Sequence, residues 1–122
     1  MLKVYAYDGC STCKNAIKWL KQHDVPFETI PIRETPPTVA ELGAVLKARG
    51  GDLRPLFNTS GQDYRAMGMK EKLPTMSQPD ALELLSKTGN LVKRPFAIDA
   101  KKQVFLVGFK ADEWKAALKA SA

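Results

Sequence analysis

The sequence predicts an α/β protein: a four-stranded mixed sheet flanked by helices, with a helical insertion between a βαβ half and a ββα half. Three observations carry this. Apolar runs rich in β-branched and aromatic residues at 2–7 and 25–32 are separated by a helical stretch. Helix-start signals then follow one another through the middle of the chain with no strand-like run between them. Finally, two short apolar segments, 96–99 and 103–107, flank Ala100-Lys101-Lys102 ahead of a last amphipathic stretch.

Residues 2–7 read as a strand that ends at the turn pair Asp8-Gly9. From 13 to 22, Ala16, Ile17 and Leu20 recur at helical spacing beside Trp19, with lysines on the other face. Residues 25–32 are a second strand, and Pro26 and Pro31 place it at a sheet edge. A strand, a helical crossover and a strand make a βαβ unit with parallel strands. Thr38-Val39-Ala40-Glu41 matches a capping box, followed by Leu42, Val45 and Leu46 and a stop at Gly50-Gly51. Segments 53–59 and 63–68, broken by Pro or Gly, predict helical turns. Ser77-Gln78-Pro79-Asp80 starts another helix, with Leu82, Leu84 and Leu85 on its apolar face and Gly89 as its stop. The last helix, 112–120, buries Trp114 and Leu118. The insertion covers about residues 36–90 of a single domain, 1–122. This order describes a thioredoxin-like core with helices on both faces of the sheet.

At 122 residues the chain can bury a core without disulfide staples. No apolar run approaches the ~18–20 residues of a membrane span, and the N-terminus has no signal-peptide pattern, so a cytoplasmic monomer is expected. The net charge of +6 comes from lysines interleaved with acids rather than from a block, which argues against direct nucleic-acid binding. Tyr5, Tyr7, Trp19 and Trp114 read as core aromatics rather than a stacking platform for bases.

The chemistry concentrates at Cys10-Ser11-Thr12-Cys13, which holds both cysteines of the chain at a strand-to-helix turn. A sulfur at a helix N-terminus faces unpaired N–H groups, the setting of nucleophilic cysteines. Cys10 is therefore the expected nucleophile. Cys13 lies about one turn on and can displace whatever is bound there as a mixed disulfide. Half of a zinc site and a buried structural pair are the alternatives. Zinc would want four ligands, and His23 is the sole histidine; it sits at the far end of the helix. No metal or bound cofactor is expected.

In such a fold, Val92-Lys93-Arg94-Pro95-Phe96 returns to the active-site loop. Pro95 can start a strand and take a cis bond facing Cys10. Arg94 would bring a cation near the thiols and a planar fork of donors for an anion.

Cys10-Ser11-Thr12-Cys13-Lys14, Leu91-Val92-Lys93-Arg94-Pro95 and Val107-Gly108-Phe109, in this order and over nearly the whole chain, resemble the arsenate reductase and Spx family. The resemblance implies an oxidoreductase-like thiol protein with catalytic Cys10, Cys13 and Arg94. Ser11, Thr12, Lys14, Asn58 and Pro95 would contact substrate or incoming thiol. Its enzyme branch uses glutathione, or glutaredoxin or thioredoxin-type proteins, to resolve an arsenate adduct. Its Spx branch senses oxidation through paired cysteines and binds the RNA polymerase α subunit. Asn58 and Val107 stand where the enzyme branch carries arginines, which implies poor arsenate reduction. The chain ends without the longer basic tail usual in Spx. A dithiol–disulfide cycle with glutathione as co-substrate is the implied activity.

Overall fold

The computed structural model describes residues 1–118. In chain order its elements are β1 (Leu2–Ala6), α1 (Ser11–Gln22), β2 (Phe27–Pro31), α2 (Val39–Ala48), α3 (Gln62–Ala66), α4 (Met69–Lys72), α5 (Gln78–Lys87), β3 (Phe96–Asp99), β4 (Val104–Val107) and α6 (Ala111–Leu118). Short 3-10 turns occupy Arg54–Leu56, Leu73–Thr75 and Gly89–Leu91. The chain divides into two compact units, Met1–Pro31 with Arg94–Ala122, and Ile32–Lys93.

The first unit holds a mixed sheet in the order β2-β1-β3-β4. β1 and β2 run parallel, from Leu2 opposite Phe27 to Ala6 opposite Pro31, as a βαβ unit requires. β1 and β3 are antiparallel, with Tyr5 opposite Phe96, and β3 turns back into β4, with Asp99 opposite Val104. The proline-ended β2 is an edge strand, where a missing N–H costs no ladder bond. β4 begins one residue later than the sequence suggests because Gln103 takes φ 57° and closes the turn with an N–H to the Ala100 carbonyl.

Alternation along the strands sorts the side chains. Leu2, Val4, Ala97, Val104 and Leu106 point to one face, where Ala16 and Leu20 of α1 and Trp114 of α6 close a buried core. Trp114 is fully buried and its indole N–H donates to the Gly108 carbonyl at 3.0 Å, so the ring brings no unpaired donor into the core. Trp19 and Phe109 meet it edge-on. Tyr5, Phe96 and Ile98, on the other face, are also buried, Tyr5 and Phe96 in a T-shaped pair. Leu118 is half-buried against the core, and residues 119–120 of the expected last helix lie outside the described residues.

α1 ends in a Schellman motif. Val25 N–H reaches the Leu20 carbonyl at 3.0 Å and Asp24 N–H that of Lys21, with Asp24 at φ 53° in the place glycine usually takes. The His23 ring stacks on Trp19 and its Nδ1 lies 2.9 Å from the Trp19 carbonyl oxygen.

The helical unit starts from the capping box foreseen at Thr38, whose hydroxyl accepts from Glu41 N–H while Glu41 reaches back to Thr38 N–H. α2 presents Leu42, Val45 and Leu46 to α5, which is capped by Ser77 and contributes Ala81 and Leu85. Two features escape the sequence. α4 and the 3-10 turn after it fill 69–75, too short for periodicity to register. Residues 57 and 92 form an antiparallel bridge, flanked by Asn58 N–H to the Leu91 carbonyl (2.7 Å) and Lys93 N–H to the Leu56 carbonyl (2.9 Å). Gly89 does not simply stop α5. It opens a 3-10 turn and packs so closely on the Ile32 carbonyl that a Cβ there would overlap it.

Candidate functional site

The dithiol is placed by the end of β1 and the start of α1. Cys10 N–H donates to the Tyr7 carbonyl at 3.0 Å, closing the Tyr7-Asp8-Gly9-Cys10 turn. Cys10 then takes the extended conformation of an N-cap residue (φ −96°, ψ 114°), and its carbonyl accepts Lys14 N–H at 3.1 Å. Its sulfur occupies the position of an N-cap oxygen and accepts Cys13 N–H at 3.3 Å. The helix starts at Ser11, earlier than the apolar period reveals, because the cap lies within the motif itself.

Cys10 is half-buried, whereas Cys13 is 1% exposed. Burial, above all, pushes the Cys13 thiol up from 9.0 to about 12. A backbone hydrogen bond from Tyr7 opposes this, the hydrogen bond and charge of Cys10 add to it, and the positive charge of Arg94 again opposes it. Cys13 is thus a buried neutral thiol beside a more exposed sulfur. Ser11, Thr12 and Lys14 are exposed on the first turn of α1.

Arg94 is half-buried, with its guanidinium carbon 5.2 Å above the Tyr7 ring centroid, a cation–π contact. The Arg94–Pro95 bond is cis. Pro95 is buried, and its carbonyl accepts Gly108 N–H at 2.9 Å, so this segment is tied to the end of β4. Tyr7 rests in turn on Gly9, where a Cβ would come within 2.5 Å of the ring. Tyr7 and Gly9 thus shape the surroundings of Arg94, whereas the sequence reads them only as a core aromatic and a turn residue. The aromatic before the motif looks like core, and nothing local pairs it with an arginine so distant in the chain.

Asn58 belongs to the helical unit. Its carboxamide lies against Gly61, whose N–H donates to the Asn58 carbonyl at 3.1 Å. Val107 is a half-buried β4 residue opposite Phe96. Among the described residues no three His, Cys, Asp or Glu side chains are grouped to hold a metal ion, and no helix is long and apolar enough to cross a membrane.

A four-stranded mixed sheet with a C-x-x-C pair at the first strand-to-helix turn and a cis-proline leading into the third strand defines a thioredoxin-like protein. Residues 5–117 match the ArsC family, and the chain belongs to it. It is 45% identical to the uncharacterised protein YusI of Bacillus subtilis over 93% of this chain and 95% of that protein. It is 32% identical to the global transcriptional regulator Spx of Enterococcus faecalis, over 93% of this chain and 83% of the regulator. A possible arsenate reductase from Streptococcus mutans superposes with a TM-score of 0.83 at 36% identity, covering 91% of this chain and 92% of that one.

Proposed function

We propose that this chain is a cytoplasmic thiol–disulfide redox protein in which Cys10 is the nucleophile and Cys13 the resolving thiol. The observation that carries the reading is the Cys10 sulfur at the N-cap of α1, half-buried and accepting the N–H of a buried Cys13. That N–H gives the sulfur a donor where negative charge is carried during exchange.

The Cys10 thiolate attacks one sulfur of an external disulfide, from glutathione or a protein. That S–S bond breaks, the second sulfur leaves as a thiolate, and a mixed disulfide forms on Cys10. Cys13 then gives its proton to solvent and attacks the Cys10 sulfur, releasing the first partner sulfur as a thiolate and closing Cys10–Cys13. Two electrons have passed to the external disulfide, and glutathione, glutaredoxin or thioredoxin returns them. Two of the causes that hold Cys13 protonated, the hydrogen bond and the charge of Cys10, vanish once Cys10 is in the mixed disulfide. The first step therefore readies the second. Arg94, with Ser11, Thr12 and Lys14 at the mouth, would hold an anionic group of the incoming molecule.

Mass spectrometry of the chain in glutathione redox buffers tests this. Wild type should lose two hydrogens as Cys10–Cys13 forms, at a potential within roughly −270 to −120 mV, and Cys13→Ser should trap glutathione on Cys10. Neither product under mild oxidation would refute it.

The similarity to Spx across 93% of this chain supports a second reading, a redox-sensing regulator. The purified chain should then bind the C-terminal domain of the RNA polymerase α subunit, and Arg94→Ala should weaken that binding. No binding in either redox state would remove it.

A further inference from the structure

We propose that the outer face of α1 is a docking surface for an acidic protein segment that carries the sulfur exchanged with Cys10. The proposal rests on the redox reading above. Lys14, Lys18 and Lys21 are exposed on one face of α1, opposite the Cys13, Ala16 and Leu20 face that packs inward. With Ile17 and Gln22 they line a shallow, open surface hollow of about 510 Å³.

This charge pattern works against the helix that bears it. Lys14 with Lys18, and Lys18 with Lys21, are like-charge neighbours at i,i+4 and i,i+3, a spacing that destabilises a helix. α1 contains no Asp or Glu at all. Each other α-helix among the described residues has an acid in its first turn, where the dipole favours one. On α5 the equivalent i,i+4 position is a Glu83–Lys87 ion pair at 2.8 Å. The helix dipole favours only Lys21, in the last turn, so Lys14 and Lys18 break a local rule in the way expected of a functional surface.

The location selects the occupant. Lys14 follows Cys13 directly, and the stripe runs two turns, about 10 Å, from the dithiol. Whatever covers it lies beside Cys10, and half-buried Ile17 among the lysines offers the apolar contact that a peptide chain can use. Carboxylates on that peptide would meet the three ammonium groups and raise the rate of productive encounter.

The test uses three synthetic twelve-residue peptides, each with one cysteine held as a glutathione disulfide, flanked by Asp/Glu, by Ser/Gln or by Lys/Arg. At low salt the reduced wild-type chain should exchange with the acidic peptide about tenfold faster than with the neutral one. The gap should close near 0.5 M salt. Lys18→Glu/Lys21→Glu should turn the preference toward the basic peptide and leave the neutral peptide's rate unchanged. Equal rates for acidic and neutral peptides, or an acidic preference that survives charge reversal, overturns the proposal. Exchange with none of the peptides refutes the redox reading instead. Docking is then read alone, by fluorescence anisotropy of the acidic peptide with its cysteine as serine, on the Cys10→Ser/Cys13→Ser chain. Salt-insensitive or absent binding there overturns the docking surface. So does tighter binding of a single-stranded DNA 12-mer or of phosphatidylserine vesicles.

Discussion

The backbone N–H of Cys13 points at the sulfur of Cys10 across 3.3 Å, so the residue proposed as the nucleophile also caps the helix, and the residue proposed to resolve its mixed disulfide supplies the capped N–H. The same turn that exposes one sulfur buries the other. Burial thus distinguishes the two positions in the sense that the proposed roles of nucleophile and resolving thiol require.

Alkylation should separate them. Iodoacetamide between about pH 7 and pH 8.5 should label Cys10 at least about tenfold faster than Cys13, because Cys13 is 1% exposed and its thiol is held neutral well above that range. Peptide mapping reads the sites. Equal labelling would mean that Cys13 is open to solvent and that the division of roles is wrong.

The raised Cys13 pKa also sets a pH dependence of stability. The folded state holds the proton more tightly than the unfolded chain, so the contribution is complete below about pH 9 and is lost as pH rises toward 12. Unfolding free energies from urea titrations between about pH 9 and pH 10.5 should fall more steeply for wild type than for Cys13→Ala, by at most about 1.4 kcal/mol per pH unit for one proton. Parallel slopes would show that Cys13 ionises alike in both states.

Local signals made much of this structure legible. The capping residues Thr38 and Ser77, the edge prolines of β2 and the hairpin at 100–103 each rest on chemistry within a few residues. So does the dithiol turn. What stayed hidden depends on residues remote in the chain: the cation–π contact of Arg94 with Tyr7, the bridge between residues 57 and 92, and the approach of Gly89 to the Ile32 carbonyl. No period or motif encodes those pairs. The 3-10 turn at Gly89–Leu91 was masked for a related reason, since a glycine after a helix reads first as its stop.

Gly89 gives a sharp test of that hidden packing. Gly89→Ala would drive a Cβ into the backbone carbonyl of Ile32, a group that cannot rotate away, and should cost more than about 2 kcal/mol. Gly50→Ala meets nothing within 4 Å and loses only the ease of its positive φ, +74°, at about 1 kcal/mol. Chemical denaturation of both variants should reproduce that order. The reverse order would contradict the close approach.

Besides holding the incoming molecule, Arg94 should act on the second step of exchange. Its charge lowers the Cys13 pKa, as the smallest of the contributing causes, so Arg94→Met should slow closure of the Cys10–Cys13 disulfide about two- to threefold at neutral pH. Gly9→Ala should do the same from a distance, since its Cβ would displace the Tyr7 ring on which the guanidinium rests. Stopped-flow closure rates measured from a preformed Cys10 mixed disulfide check both. If the two variants close as fast as wild type at every pH, Arg94 has no electrostatic part in resolution.

Arsenate turnover, with glutathione and glutaredoxin supplied, is expected to be absent or very slow. Arsenate is a doubly charged oxyanion at neutral pH, and each missing cation removes a charge-assisted hydrogen bond of ~1.5–3 kcal/mol. Arg94 matches one of the arginines that the family resemblance calls for, but Asn58 is uncharged, with its carboxamide against Gly61, and Val107 is an apolar strand residue. Arginine at both positions, Asn58→Arg with Val107→Arg, should tighten oxyanion binding by about ten- to a hundredfold for each cation that reaches the substrate. A coupled reductase assay on wild type and the double variant measures this. Fast wild-type turnover would sink the expectation.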